Sequence, residues 1–279
     1  MAKRALLIGI NRYQMAGADL RGCVNDVKDL SAVLVEFHGF KTSDISVLLD
    51  AAATKKAIEA GIKKLMRESK KGDVALLHYS GHGSNVPDDA EDEADGRDEI
   101  LCPTDLDWND PLRDDWLRRT FDGLRAGVAL TVIMDCCHSG TNTRAILPPD
   151  APVTQRYLPS PWGLAAVESG RSLPRKVKSE LRRSPRAARK TRDIVNADLP
   201  EVLITGCRDT QTSADAFING RYNGALTFAL VEAIRKRQGR LTYRELHDSA
   251  AGELQTRKFE QVPQLEGRAA RFDLPLFSA

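Results

Sequence analysis

The 279-residue chain has no apolar run near the roughly 18 to 20 residues that a membrane-spanning helix requires. That sets aside function classes built on spanning helices. Cysteine is sparse. The five are Cys23, Cys102, Cys136, Cys137 and Cys207. The number is odd, two are adjacent, and no spacing matches a metal site, so neither a disulfide framework nor a zinc module is expected. Charge of one sign is also lacking overall, at a formal +2. Aromatics are only 6% of the chain. None is interleaved in its one basic stretch, which argues against single-stranded nucleic-acid binding there. No internal repeat is present, which sets aside solenoids and propellers. The first ten residues have a charged start and a short apolar stretch, but Asn11-Arg12-Tyr13 follows in place of small cleavage-site residues. They read as a first core strand and not a signal peptide, with a cytoplasmic location expected.

What is present is an alternation of strand and helix over the first 145 residues. Ala5 to Ile10 reads as a strand. A helix follows from about Val24 to His38, with Leu30, Val33, Leu34 and Phe37 on one face. Ile45 to Leu49 is a short strand, and Thr54 caps a helix running to Ser69. Asp73 to Leu77 and Ala129 to Met134 are buried strands, with a helix near Trp116 to Leu124 between them. Such alternation predicts a parallel sheet covered on both faces. Residues 147–200 break the pattern. They are rich in Pro, Ser, Arg and Lys and read as a long exposed linker. Order resumes with a strand at Glu201 to Gly206 and helices at Ala225 to Lys236 and Tyr243 to Lys258. Gln261-Val262-Pro263-Gln264 is a turn into a last extended piece.

Two segments carry the chemistry. His78-Tyr79-Ser80-Gly81-His82-Gly83-Ser84 follows one buried strand, and Asp135-Cys136-Cys137-His138-Ser139-Gly140 follows the other. Parallel strands deliver both to the carboxyl edge of one sheet, where chemistry gathers in such folds. A thiol becomes a strong nucleophile when an imidazole takes its proton and later returns it to a leaving amine. Glycines there let a substrate backbone approach and leave N–H groups free for an oxyanion. On the residues alone, Cys136 and Cys137 are both candidates for the nucleophile.

At these residues the chain resembles the metacaspases, caspase-like cysteine peptidases. The resemblance extends through Leu20-Arg21-Gly22-Cys23-Val24-Asn25-Asp26, through Gly206-Cys207-Arg208-Asp209, through Ser213-Ala214-Asp215-Ala216 and through the Gln261 turn, in family order. It implies a caspase-like αβα three-layer sandwich with a mostly parallel sheet of about six strands. It also implies one peptidase domain, with residues 1–146 resembling a large subunit, 147–200 a linker and 201–279 a small subunit. By the resemblance Cys137 is the nucleophile, His82 the general base and acid, and the backbone N–H groups near Gly83 and Cys137 the oxyanion donors. Cys136, Cys23 and His78 read as packed, structural residues, and so does His138.

Family members cut after Arg or Lys, which calls for an acidic pocket. The resemblance places Asp26 and Asp135 there, with Ser80 lining it and Asp215 bordering the groove. Alone, Asp26 would read as a helix-start acid. Many members need calcium. The family ligands correspond to Asp98, Asp114 and Asp115, but the fourth position is Arg144, a cation where a ligand belongs. The chemistry itself needs no cofactor, and the acidic loop also reads as simply solvated.

Residues 171–192 hold ten Lys/Arg and one Glu. They are Arg171, Arg175, Lys176, Lys178, Arg182, Arg183, Arg186, Arg189, Lys190 and Arg192. An acidic pocket accepts such residues, so self-cleavage is expected within this stretch. The expected function is a monomeric cysteine endopeptidase acting on protein or peptide substrates with Arg or Lys before the scissile bond, with neither membrane nor nucleic acid as partner. Two rivals are a catalytically silent caspase-like scaffold and a binder of acidic partners or nucleic acid through the basic linker.

Overall fold

A computed structural model describes residues 1–88, 96–137, 153–162, 201–208 and 211–279. Its strands and helices alternate in chain order. β1 (Lys3–Gly9) leads to α1 (Cys23–His38), β2 (Ile45–Leu49), α2 (Lys55–Glu68) and β3 (Val74–Ser80). A meander of β4 (Gly83–Pro87), β5 (Arg97–Leu101) and β6 (Leu112–Arg113) precedes α3 (Asp114–Asp122) and β7 (Ala129–Asp135). Then come β8 (Val153–Gln155), β9 (Glu201–Thr205), β10 (Ala214–Ile218), β11 (Arg221–Gly224), α4 (Ala225–Lys236), α5 (Tyr243–Thr256), β12 (Gln264–Glu266) and a short α6 (Ala269–Phe272).

Six strands form the central sheet in the order β12-β9-β7-β3-β1-β2. Neighbours pair in parallel except at the β12–β9 edge, which is antiparallel. Side-chain alternation divides the core into two layers. Leu7, Leu76 and Ile133 face α1, α4 and α5, packing with Leu30, Leu34, Leu230 and Leu246. Leu6, Ile8, Leu77 and Val132 face the other way, against Ile58, Ile62, Leu117 and Phe121 of α2 and α3. The fold is therefore an α/β three-layer sandwich, and strands from both sides of the linker share its central sheet.

The helix ends follow local chemistry. Gly39, at φ 68°, stops α1 in the left-handed conformation and returns its N–H to the Leu34 carbonyl. Thr54 caps α2 through Ala57 N at 3.2 Å, and a Thr242/Glu245 capping box starts α5. Two readings of the sequence need correction. The acidic stretch ahead of α3 is not all loop, because Arg97–Leu101 is a strand and α3 starts at Asp114. The reading of 147–200 as one exposed linker also fails near its start. Val153–Gln155 pairs with β10, and Arg156, Leu158 and Ser160 are buried. A short Val-Thr-Gln strand is too brief for periodicity to reveal in Pro- and Arg-rich surroundings.

Candidate active site

Register fixes the site. Ser80 and Asp135, the last residues of β3 and β7, lie opposite each other in the central sheet. His82 and Cys137 each stand two residues past those ends, and Cys207 stands two past the end of β9. Tyr79, fully buried, donates its hydroxyl to the carbonyls of His82 and Cys102 at 2.7 and 2.8 Å, pinning the turn that carries His82. The Tyr13 ring lies 5.0 Å from the His82 ring, and its hydroxyl accepts from His82 N at 2.8 Å. His82 Nε2 lies 2.8 Å from the Ala18 carbonyl, an acceptor only, so Nε2 carries the proton. Nδ1 is buried and makes no hydrogen bond. Burial pushes the His82 ring down to about 4, against the backbone carbonyl of Ala18, which favours its charged form. Burial likewise pushes the Cys137 thiol well up. The Cys137 sulfur lies against Ser213 N and 3.5 Å from the Cys207 sulfur. At neutral pH both His82 and Cys137 are uncharged in this arrangement.

Beside them is a buried acidic chamber, and a side chain from β8's end fills it. Arg156 is 0% exposed. Its guanidinium reaches Asp26 at 2.8 Å, Asp215 at 2.9 Å and Asp135 at 3.3 Å, and it donates to Ser80 Oγ at 2.8 Å. The chamber is prepared for a cation by fixing its carboxylates. Asp26 accepts from Gly224 N, Asn223 Nδ2 and Ser80 Oγ. Asp135 accepts from Ser213 Oγ at 2.6 Å and from Thr227 N and Oγ1 at the start of α4. A helix N-terminus favours such an anion. Asp215 accepts from the N–H groups of Arg21 and Gly22. Burial raises the Asp26 carboxyl to about 6, with Arg156 pulling the other way. Gly224 is the floor, since a Cβ there would collide with the Arg156 guanidinium and the Asp135 carboxylate.

The backbone of Arg156 is held as closely as its side chain. Its N–H donates to Ser213 O at 2.9 Å. Its carbonyl oxygen accepts from Gly83 N at 3.1 Å and Cys137 N at 3.2 Å. Val153–Gln155 pair antiparallel with Ala214–Ala216, and Leu158 N donates to Gly83 O at 3.0 Å.

The remaining residues predicted from sequence fall as follows. Cys23, Cys102 and Cys136 are buried. His78 is buried with Nε2 3.2 Å from Thr227 Oγ1. Asp98 is ion-paired with Arg113, and Asp115 lies 3.1 Å from Arg119. Asp114 and Asp115 occupy the first turn of α3, where acids suit the helix N-terminus. Among the described residues no group of three or more His, Cys, Asp or Glu side chains is placed to hold a metal ion. Arg144, His138 and the basic stretch 171–192 lie outside the described residues. Sequence reasoning missed Arg156, Tyr13, Asn223, Gly224 and Thr227. Only the Val-Thr-Gln-Arg-Tyr run, rich in strand formers, hinted at the first.

Residues 3–145 match the metacaspase, peptidase C14 domain. Metacaspase-1A of Aspergillus terreus is 33% identical over 288 residues, covering 94% of this chain and 70% of the relative. The chain belongs to the metacaspase family. Metacaspase-1A of Neurospora crassa is 35% identical over 284 residues, and this metacaspase spans 62% of its length. A crystal structure of a protein from Geobacter sulfurreducens superposes with a TM-score of 0.70 at 28% identity, covering 100% of this chain and 99% of the other. Caspase-1 of Spodoptera frugiperda, at 14% identity and TM-score 0.58, covers 95% of this metacaspase and shares its fold. Membership makes the metacaspase a caspase-like, cysteine-type endopeptidase. No described helix is long and apolar enough to cross a membrane.

Proposed function

We propose that this metacaspase cleaves protein and peptide chains after Arg or Lys, with Cys137 as nucleophile and His82 as general base and acid. The observation that carries the reading is the chamber of Asp26, Asp135, Asp215 and Ser80 around one buried guanidinium. Three carboxylates fixed by backbone and side-chain donors select a long cation and repel an acidic side chain. The two N–H groups at Gly83 and Cys137 converge on one carbonyl oxygen, as donors to a developing oxyanion must.

The steps follow from these groups. His82, with Nε2–H committed to Ala18, offers Nδ1 to take the thiol proton. The Cys137 sulfur attacks the carbonyl carbon, and Gly83 N–H and Cys137 N–H hold the oxyanion. The C–N bond breaks as His82 gives its proton to the leaving amine. Water, deprotonated by His82, then releases the acid and restores the thiol. Each step uses groups of this chain and water alone.

The test is hydrolysis of Arg, Lys and Asp peptide reporters by the full chain and by Cys137→Ala, each with added calcium and with chelator. Arg and Lys reporters are expected to be cut, the Asp reporter and the variant to be silent. The ion pair of Asp98 with Arg113 leads us to expect less than about a tenfold response to calcium. Cleavage of the Asp reporter alone would overturn the pocket reading. Equal activity in Cys137→Ala would overturn the nucleophile. Self-processing within 171–192 belongs to the same proposal, since that stretch supplies ten side chains of the accepted type.

A further inference from the structure

We propose that Arg156–Tyr157 is a bond this enzyme cuts in itself, and that residues 153–158 are its own first substrate, seated in the cleft. This rests on the function proposed above and adds where and when it acts on its own chain. The argument is the agreement of independent contacts on one residue. The side chain of Arg156 fills the acidic chamber completely. Its carbonyl oxygen sits on the two N–H groups that would stabilise an oxyanion. Its own N–H is tied to Ser213 O, and the three residues before it extend β10 by antiparallel pairing, as an added peptide strand does. After the bond, Leu158 is again clamped, through its N–H to Gly83 O and its carbonyl to Ser84 Oγ at 2.5 Å. A merely structural buried arginine needs the carboxylates. It does not need its carbonyl placed between the N–H groups of the two catalytic turns.

The same seating blocks the pocket to any other chain. Cutting relieves this. The Cys137 sulfur forms a thioester with the Arg156 carbonyl carbon, the bond to Tyr157 N breaks, and the thiol proton passes through His82 to the new Tyr157 amine. Water then hydrolyses the thioester to the Arg156 carboxylate. Residues up to Arg156, now a free end, can leave the chamber and admit a substrate in trans. The cut is intramolecular, so its rate is independent of protein concentration.

The experiment follows the full chain by intact mass and N-terminal sequencing, alongside Arg-reporter activity, over a hundredfold range of dilution. A fragment beginning at Tyr157 is expected, absent from Cys137→Ala, with reporter activity rising in step with it. Arg156→Gln should slow the cut at least about 100-fold, because the chamber's carboxylates lose their cation. Removing Arg156 also strips a buried ion cluster of its partner, so two variants keep the cation. Arg156→Lys should still be cut, and Tyr157→Pro should stay uncut with Arg156 in place. Reporter activity without a Tyr157 terminus, termini confined to 171–192, or the same terminus in Cys137→Ala would overturn the self-cut and leave the peptidase standing. An intact chain that gains reporter activity only in Arg156→Gln would make the segment a permanent plug, and overturns it too. No reporter cleavage by any of these chains, cut or uncut, would instead count against the proposed function.

Discussion

At the level of single residues the pocket depends on an absent side chain as much as on charged ones. Gly224 lies under both the Arg156 guanidinium and the Asp135 carboxylate, at the approach a Cβ would fill. Its N–H also serves Asp26. Gly224→Ala should therefore keep the Asp26 hydrogen bonds and lose room for the cation. The expected result is a fall of about 100-fold in kcat/KM for the Arg reporter, the scale of a misplaced substrate. Alkylation of Cys137 by iodoacetamide should change far less, since the thiol and His82 lie beyond the floor. Equal loss in both measurements would show that Gly224 supports the whole site and not the pocket. Asp26, Ser80, Asp135 and Asp215 were named through the family resemblance, since on its residues alone Asp26 reads as a helix-start acid. Gly224 was not named, since nothing in Tyr222-Asn223-Gly224 tells of a guanidinium arriving from 68 positions earlier in the chain.

Between elements, the start of α4 holds the site to the sheet. Thr227 Oγ1 donates to Asp135 Oδ2 at 2.8 Å and lies 3.2 Å from His78 Nε2, while Thr227 N donates to the same carboxylate oxygen. One hydroxyl thus joins β7, β3 and α4 inside the core. Thr227→Val keeps the volume and removes the hydroxyl, leaving His78 and Asp135 each short of a buried partner. Such groups cost about 1–3 kcal/mol. The urea midpoint should fall accordingly, and Thr227→Ser should restore most of it. A midpoint unchanged in Thr227→Val would mean that water replaces the hydroxyl. The elements themselves were largely readable. The hydrophobic faces of α1 and α2 and the runs of β3 and β7 follow one period each, so their places in the sheet followed from alternation. The β4–β5–β6 meander and β8 were not readable. Their residues are polar, short-run and stabilised by pairing with distant chain, Gly83 with Leu101 and Asp215 with Thr154. Pairing of that kind leaves little periodic trace.

For the whole molecule, the buried titratable groups set how the fold responds to acid. Burial pushes His38, His78 and His82 down to about 4, from about 6.5 in an unfolded chain. Between these values the unfolded state binds more protons than the folded one, so stability falls as pH falls through that window. Asp26, raised to about 6, and Glu201, also raised by burial, act in the opposite direction. Below about pH 6 Asp26 binds a proton in the folded state that the unfolded chain does not yet hold, and Glu201 shifts in the same direction. Each histidine contributes up to about 1.4 kcal/mol per pH unit. Three histidines against two carboxyls leave a net loss of stability between pH 7 and pH 5. Urea unfolding at pH 7.5, 6 and 5 measures it, with Cys137→Ala used so that no self-cleavage intervenes. His78→Gln retains an amide for Thr227 and removes one titration, so its stability should depend on pH less steeply than that of the parent. Stability that rises steadily from pH 7.5 to 5 would mean that the carboxyls outweigh the histidines.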